Sequence, residues 1–365
     1  MKICHLTSVH QRYDIRIFEK ECVSLANHGF NTFLIVNDAL EDECYKGVTI
    51  VSTGYSEKSR MKRLISGRKY LLEKALECDA SVYHIHDPEL LPLGMKLIKK
   101  GKVVIYDSHE DVPRQILSKQ WIPKLMRKMI SRVVEAYENY CAKRLSAVVV
   151  PTPYIEKRFK TLNNTVEQIC NFPIRDEFFA SSISNNKKYD ICYIGNLSRS
   201  RGIEMCARAT CEMGINLEIA GKFETEEFKD YILGTYKNVN YHGILNRNEV
   251  VELLNSCKLG LAILLPMPNY INAYPIKLFE YMASGIPVVT SDFPVWRDIV
   301  EKNKCGYCVN PEELSTIIEA IRKILNNPND ALQMGSNGIK AIREIYNWSV
   351  EEKKLIRLYE TIVRE

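Results

Sequence analysis

Several stretches of this 365-residue chain gather side chains that could do chemistry. The most informative is Tyr274–Asp292, YPIKLFEYMASGIPVVTSD. Pro275 in the first turn and Gly285 just past the last predict a short helix, followed by a buried strand over Pro287–Thr290. The helix start, Pro275, Ile276 and Lys277, offers free backbone N–H groups and the positive end of a helix dipole, which suits a phosphate. Glu280, about one turn further along, is placed to accept hydrogen bonds from sugar hydroxyls such as those of a ribose. An ordinary strand–helix unit with Glu280 solvated would read the same way. A second stretch, Gly195-Asn196-Leu-Ser-Arg199-Ser-Arg201-Gly202, sets two arginines between glycines. Glycine lets the backbone approach a diphosphate, and the arginines can neutralise it with forked donors. Earlier loops add His10, Asp14 and Arg16, then His86 with Asp87, then His109 with Glu110. Sugar binding, metal ligation and plain structural hydrogen bonding are all open to such groups, although their spacing matches no metal motif.

These residues need elements to hold them. Apolar runs at Ile3–Thr7, Thr32–Val36, Val48–Ser52, Val82–His86, Val103–Tyr106, Ala147–Val150 and Val166–Ile169 read as strands alternating with helices. Phe18, Cys22, Leu25 and Ala26 keep helical spacing up to a stop at Gly29. After the polar stretch Ser181–Lys188, a second series follows at Asp190–Ile194, Asn216–Ala220, Val239–His242, Leu259–Leu264 and Val288–Thr290. A last helix runs from Trp348 to Arg364, after a polar stretch over Asn326–Gly338. Such alternation predicts an α/β protein with parallel sheets covered on both faces. The length exceeds the roughly 250–300 residues at which single cores stop growing. The expected division is a first domain over 1–172, a second over 173–345, and a C-terminal helix, 346–365, able to cross back. Every candidate residue falls in a loop at a strand C-terminus or at the helix start after one, where such sheets carry their chemistry.

The Tyr274–Asp292 segment resembles the donor-site signature of retaining GT-B glycosyltransferases of family 4, the glycosyl transferases group 1. In that family a helix ending E-x-M-A-x-G-x-P-V-V completes a Glu-x7-Glu pattern. Glu280 falls on the second Glu, whereas Asn272 stands where the first is expected. The Gly195–Gly202 loop is similar to the family's G-R-L-x-x-x-K-G, with Arg201 on the Lys position and Asn196 on the Arg position. The resemblance implies a GT-B fold, two Rossmann-like domains with parallel sheets facing across a cleft. It implies transfer of a hexosyl or N-acetylhexosaminyl group, with retained configuration, to a glycan or lipid-linked acceptor in bacterial surface-polysaccharide synthesis. The donor is expected to be a nucleotide-sugar, UDP before GDP. Catalytic roles fall on His109, Arg201 and Glu280. Donor binding falls on Gly195, Asn196, Arg199, Arg201, Asn272, Pro275, Ile276, Lys277 and Glu280. His10, Asp14, Arg16 and His86 would face the acceptor. No metal and no cofactor beyond the donor substrate is implied, and the chain lacks an Asp-x-Asp motif. Two alternatives remain open: a non-catalytic GT-B nucleotide-sugar-binding subunit, which Asn196 and Asn272 make conceivable, and a non-hydrolysing sugar-nucleotide epimerase.

Composition narrows the partners. Hydrophobic content of 46% and charged content of 26% are ordinary for a globular protein. The net charge of +5 is uneven. Met1–Cys170 holds 27 Lys and Arg against 20 Asp and Glu, a surplus of 7, and the remainder is slightly acidic. The surplus concentrates in Lys58–Lys69 and Lys119–Arg132. In the second cluster Trp121, Ile122, Leu125, Met126, Met129 and Ile130 are interleaved with the cations, the make-up of a helix drawn to an anionic membrane surface. No base-reading module accompanies the charge, so nucleic acid is not expected. Twelve cysteines are scattered, with Cys305-Gly-Tyr-Cys308 the single C-x-x-C, read as a turn into a strand rather than a metal or redox site. No run approaches the ~20 apolar residues of a membrane span and no export signal is evident. The expectation is a cytoplasmic protein, peripheral on the inner face of the cell membrane.

Overall fold

The computed structural model describes residues 1–56, 66–119, 122–174, 177–178 and 187–364. Two units make it up: Met1–Asn171 together with Ser349–Glu365, and Phe172–Trp348. Most of the basic stretch Lys58–Lys69, and Trp121 of the second cluster, lie outside the described residues.

In the first unit eight strands form one sheet: β1 (Lys2–Thr7), β2 (Asn31–Val36), β3 (Glu43–Tyr45), β4 (Val48–Ser52), β5 (Val82–Ile85), β6 (Val103–Asp107), β7 (Ala147–Val150) and β8 (Val166–Gln168). Their order is β3-β4-β2-β1-β5-β6-β7-β8. The central strands are apolar on both faces because helices cover both, and β5 and β7 are buried along their whole length. Leu6, Tyr83, Ile85, Val104, Tyr106 and Val148 form the core there. Emptying one such position to alanine costs on the order of 2–5 kcal/mol. The register of β1 on β5 sets His5 opposite His84. Strand β3 is not foreseen from the sequence. It pairs antiparallel with β4 through Lys46-Gly47, both at positive φ, the two-residue turn that matches strand twist.

The helix predicted around Phe18 and Cys22 exists, but Ile15–Cys22 is wound as a π-helix before Val23–Asn27 continues it. Asp14 caps it, accepting from the N–H groups of Arg16 and Ile17 at 2.9 and 3.0 Å. The last helix, Trp348–Arg364, returns to this unit. Glu351 accepts from the Cys170 N–H at 2.7 Å, and Leu355 and Tyr359 are fully buried.

The second unit carries six parallel strands: β9 (Tyr189–Ile194), β10 (Leu217–Ala220), β11 (Val239–Tyr241), β12 (Cys257–Ala262), β13 (Val288–Ser291) and β14 (Gly306–Val309). Their order is β11-β10-β9-β12-β13-β14, over a core that includes Ile191, Tyr193, Leu259, Leu261 and Ile317. The polar stretch Asn326–Gly338 turns out to be largely helix, Pro328–Glu344. Its buried face is Gly335, Gly338, Ala341 and Ile342. A Cβ on Gly335 would stand 2.1 Å from the Gly285 carbonyl oxygen, so small residues let the helix lie close against Ile276–Ala283. A face this narrow barely marks the composition. Among the described residues no helix is long and apolar enough to cross a membrane.

Candidate functional site

The second unit's sheet changes direction at its middle. β9 leads outward to β10 on one side, and β12 resumes on the other. The crevice over the C-terminal ends of two such strands is where α/β sheets take ligands. β9 ends at Gly195, which has φ +115, and a Cβ on Gly221 would stand 2.0 Å from the Gly195 carbonyl oxygen. The Gly195 loop is therefore seated backbone against backbone. At its far end Gly202, φ +67, touches the Ile263 carbonyl just beyond β12, and the Leu265 N–H donates to Ser200 O at 2.9 Å. Between these anchors the Tyr193 hydroxyl donates to Arg201 O at 2.7 Å. The Arg201 guanidinium has no carboxylate partner among the described residues and lies 5.5 Å from the Tyr270 ring centroid.

The helix Ile276–Ala283 begins at Pro275 with no side-chain cap, leaving the first-turn amides available to an anion. Lys277 is buried, with its ammonium 3.4 Å from the Tyr193 ring centroid and beside Gly195. Glu280 is also buried, but it is not solvated. Arg247 donates to its Oε1 at 2.5 Å and continues to Glu177 Oε2 at 3.0 Å. Burial opposes the charge of Arg247, and the two carboxylates outweigh it, holding its pKa above the ordinary value. Glu280 Oε2 has no hydrogen-bond partner among the described residues.

One of the expected donor residues, Arg199, is engaged elsewhere. Arg199 donates to Glu204 at 2.5 Å and lies over the rings of Phe228 and Tyr231, so it does not stand in for the cation missing at Asn196. Asn196 itself is exposed, and Asn272 is half-buried in the turn before the helix. Arg247 was missed because it sits on a separate helix, Arg247–Asn255, with no motif around it.

In the first unit the sheet changes direction between β1 and β5, and the polar loops after those strands meet there. Asp87 accepts from the Thr7 hydroxyl at 2.9 Å and the Ser8 N–H at 2.6 Å. His10 Nδ1 lies 3.1 Å from Asp14 Oδ2, and its ring packs 5.1 Å from that of His109. Burial disfavours the charged form of His10, but Asp14 and Asp87 outweigh it and raise its pKa. His109 Nε2 lies 3.0 Å from Asp107 Oδ2, with part of its side chain open to solvent.

Beneath these groups lies a buried network, in which the Glu21 carboxyl and His84 Nε2 have no hydrogen-bond partner among the described residues. Arg16 makes a forked pair with Asp107, at 3.0 and 2.9 Å, and donates to Ile169 O. His86 lies between His109, 3.1 Å from its Nδ1, and His5, 2.8 Å from its Nε2. The Tyr359 hydroxyl joins His5 and His84 at 3.1 and 2.8 Å. Arg16 and His86, expected to face an acceptor, are thus buried structural groups. Burial pushes His86 down to about 4 against the opposing pull of Asp107, and burial followed by the neighbouring imidazoles holds His5 and His84 well below the usual imidazole value. His5, Glu21, His84 and His86 form a donor set a metal could use, as do His86, Asp107 and His109. The 2.8 Å between His5 and His86 nitrogens is a hydrogen-bond distance, however. Two ligands around one zinc ion would stand about 3.3 Å apart.

Two Rossmann-like units, the second with an anion-ready crevice at its strand switch, define the GT-B class of α/β proteins. Sequence profiles agree. Residues 21–172 match Glycosyltransferase Family 4, and residues 174–341 match Glycosyl transferases group 1. The chain belongs to the family 4, group 1 glycosyltransferases. Sucrose-phosphate synthase from Thermosynechococcus elongatus superposes with a TM-score of 0.80 at 15% identity, covering 100% of this chain and 99% of that one. HepE of Anabaena, solved with UDP-glucose, superposes with a TM-score of 0.72 at 15% identity, covering 99% and 100%. A phosphatidyl-myo-inositol mannosyltransferase of Mycobacterium leprae is 26% identical over 153 residues, 42% of this chain and 39% of that protein. The chain spans 38 to 44% of the length of this and two other curated relatives.

Proposed function

We propose that this protein transfers a hexosyl or N-acetylhexosaminyl group from a nucleotide-diphosphate sugar to a glycan or lipid-linked acceptor, with retained configuration. One observation carries the reading: the Gly195 loop holds the unpaired Arg201 at the strand switch of the second unit. A diphosphate leaving group suits that site. As the C1–O bond to the phosphate breaks, its electron pair passes to the phosphate oxygen, where Arg201 and the amides of Ile276 and Lys277 stabilise the charge. The acceptor oxygen bonds to C1 from the departing side, and its proton goes to the leaving phosphate. Protein cations do here what Mg²⁺ does elsewhere, so no metal enters the step. Glu280, through Oε2, accepts from a ribose hydroxyl. On the first unit, His109 and His10 have the exposure and chemistry to meet sugar hydroxyls. UDP is the first choice of nucleotide, because HepE was solved with UDP-glucose.

The test is a thermal-shift screen against UDP and GDP, followed by incubation with UDP-glucose, UDP-N-acetylglucosamine and GDP-mannose. A nucleotide at 100 times its Kd should add about 2.7 kcal/mol of stability. Release of sugar and nucleotide from one donor supports the transferase. Binding without turnover favours a non-catalytic subunit, and an epimeric nucleotide-sugar as product favours the epimerase.

The acceptor side of the reading includes an anionic membrane. Helix Lys124–Ala142 shows solvent an apolar stripe at one-turn intervals, with Leu125 88%, Met129 60% and Val133 63% exposed. Lys124, Lys128 and Arg132 are exposed beside it. Each such cation contributes about 1 kcal/mol at an anionic surface. Co-sedimentation with anionic vesicles should weaken at high salt and on changing Lys124 and Lys128 to Glu. Wild-type protein left in solution at low salt removes the membrane from the reading.

A further inference from the structure

A buried lysine with no anion beside it needs an explanation, because taking an ammonium out of water costs several kcal/mol unless something replaces its hydration. Lys277 is 7% exposed, and its Nζ has no hydrogen-bond partner. The nearest obvious carboxylate, Glu280 one turn on, is paired with Arg247. What Lys277 does touch is the face of Tyr193, at 3.4 Å, and the Gly195 loop, where Cε and Nζ would lie 3.5 Å from a Cβ. A methionine or leucine would cover the Tyr193 ring equally well at no electrostatic cost. The amine is therefore kept for something other than packing.

The loop it faces is short of positive charge for a diphosphate. Asn196 is neutral and Arg199 is paired with Glu204, so Arg201 is the one loop cation without a carboxylate partner among the described residues. We propose that Lys277 is the second cation of the donor site, its Nζ taking a diphosphate oxygen opposite Arg201. This rests on the donor-site reading above and adds to it a side chain from the helix rather than from the loop.

The proposal has a thermodynamic signature. Around Nζ, burial acts first and Arg201 second to lower the pKa of Lys277 well below the ordinary lysine value. Cys206, Glu280 and Cys192 pull weakly the other way. Tyr193 and Tyr281 on the adjoining elements are buried phenols held neutral, with pKa values raised by burial. A diphosphate arriving beside this amine favours its charged form, so binding draws a proton from solution. A lysine that merely packed against Tyr193 would take up none.

The experiment is calorimetric titration with UDP, and with GDP, between pH 7 and 9 in two buffers of unlike ionisation enthalpy. For the wild type the binding heat should depend on the buffer, with proton uptake growing as pH rises. Lys277→Met, which keeps the apolar stem, should lose about tenfold to hundredfold in affinity, and the buffer dependence with it. Lys277→Arg keeps the charge and loses the titration, so it should bind within about threefold of wild type without proton uptake. Lys277→Met binding UDP within twofold of wild type, while Arg201→Ala is weakened, overturns the role of Lys277 and leaves the donor site standing. A wild type that binds neither nucleotide overturns the donor site and this inference together.

Discussion

The two strand-switch regions of this protein are built from similar materials and hold them in opposite states. In the first unit Arg16, Asp107, His86, His5 and Tyr359 are joined into one buried network whose cation, Arg16, is paired with Asp107 and Glu21, although Glu21 and His84 Nε2 lack hydrogen-bond partners among the described residues. In the second, Arg201 and Lys277 share a crevice with no carboxylate on either, among the described residues. Groups paired with one another fix geometry, whereas a cation without a carboxylate partner in a crevice is a candidate to meet a ligand. The contrast supports the proposal that the second region binds an anion. It also explains why buried histidines are poor evidence of a site here, and a buried lone lysine is good evidence.

The largest effect expected from breaking this contrast is on turnover. Arg201→Ala should lower the rate by about 10²–10³, the usual cost of one donor to a developing oxyanion. Its unfolding midpoint should hardly move, because among the described residues the guanidinium has no carboxylate partner and meets only the Tyr270 ring. A loss below about threefold would mean the second region is not where charge develops.

Next comes acid. His5, His84 and His86 are held neutral in the fold, with His86 at about 4. An unfolded chain binds those protons already near pH 6.5, so it holds more protons than the native state below that pH. The first unit's stability should be complete above about pH 6.5 and fall as pH drops toward 4, with His86 alone contributing on the order of 3 kcal/mol. Hydrogen exchange at pH 7 and pH 4.5, read separately for residues 1–171 and 172–348, checks it. Equal loss of protection in both halves would contradict the assignment of a buried histidine network to one of them.

The smallest effect sharpens the second region. Arg199→Ala removes a mostly exposed cation paired with Glu204. Stability should change by less than about 0.5 kcal/mol and turnover by less than about threefold. A loss as large as that of Arg201→Ala would show that Arg199 leaves Glu204 when the donor binds.

Much of the fold was legible because buried parallel strands are written as apolar runs and helix ends as Pro and Gly. Ile276–Ala283 begins after Pro275 and is closed by Gly285 as its sequence predicts. Strand β3 and the helix Pro328–Glu344 were not legible. The first is a three-residue edge held by one turn, and the second buries two glycines, an alanine and one isoleucine, too little apolar surface to leave a period.

The sequence by itself determined which residues could bind a nucleotide-sugar: Gly195, Arg201, Glu280 and the amides after Pro275 are local features, set by residue type and a few neighbours. What only the tertiary structure decided is which charges are free. Arg199 and Arg201 are two positions apart, and although the motif sets Arg201 on the family's Lys position, only the fold shows that Arg199 is matched by Glu204 and Arg201 by no carboxylate among the described residues. Arg16 and His86 looked like surface ligands until the sheet placed Asp107 and His5 against them. Pairing is a long-range property: Arg16 and Asp107 are brought together across 91 residues, and Arg247 and Glu280 across 33. Coulomb energy depends on distance in space and on burial, and neither is carried by the order of residues along the chain.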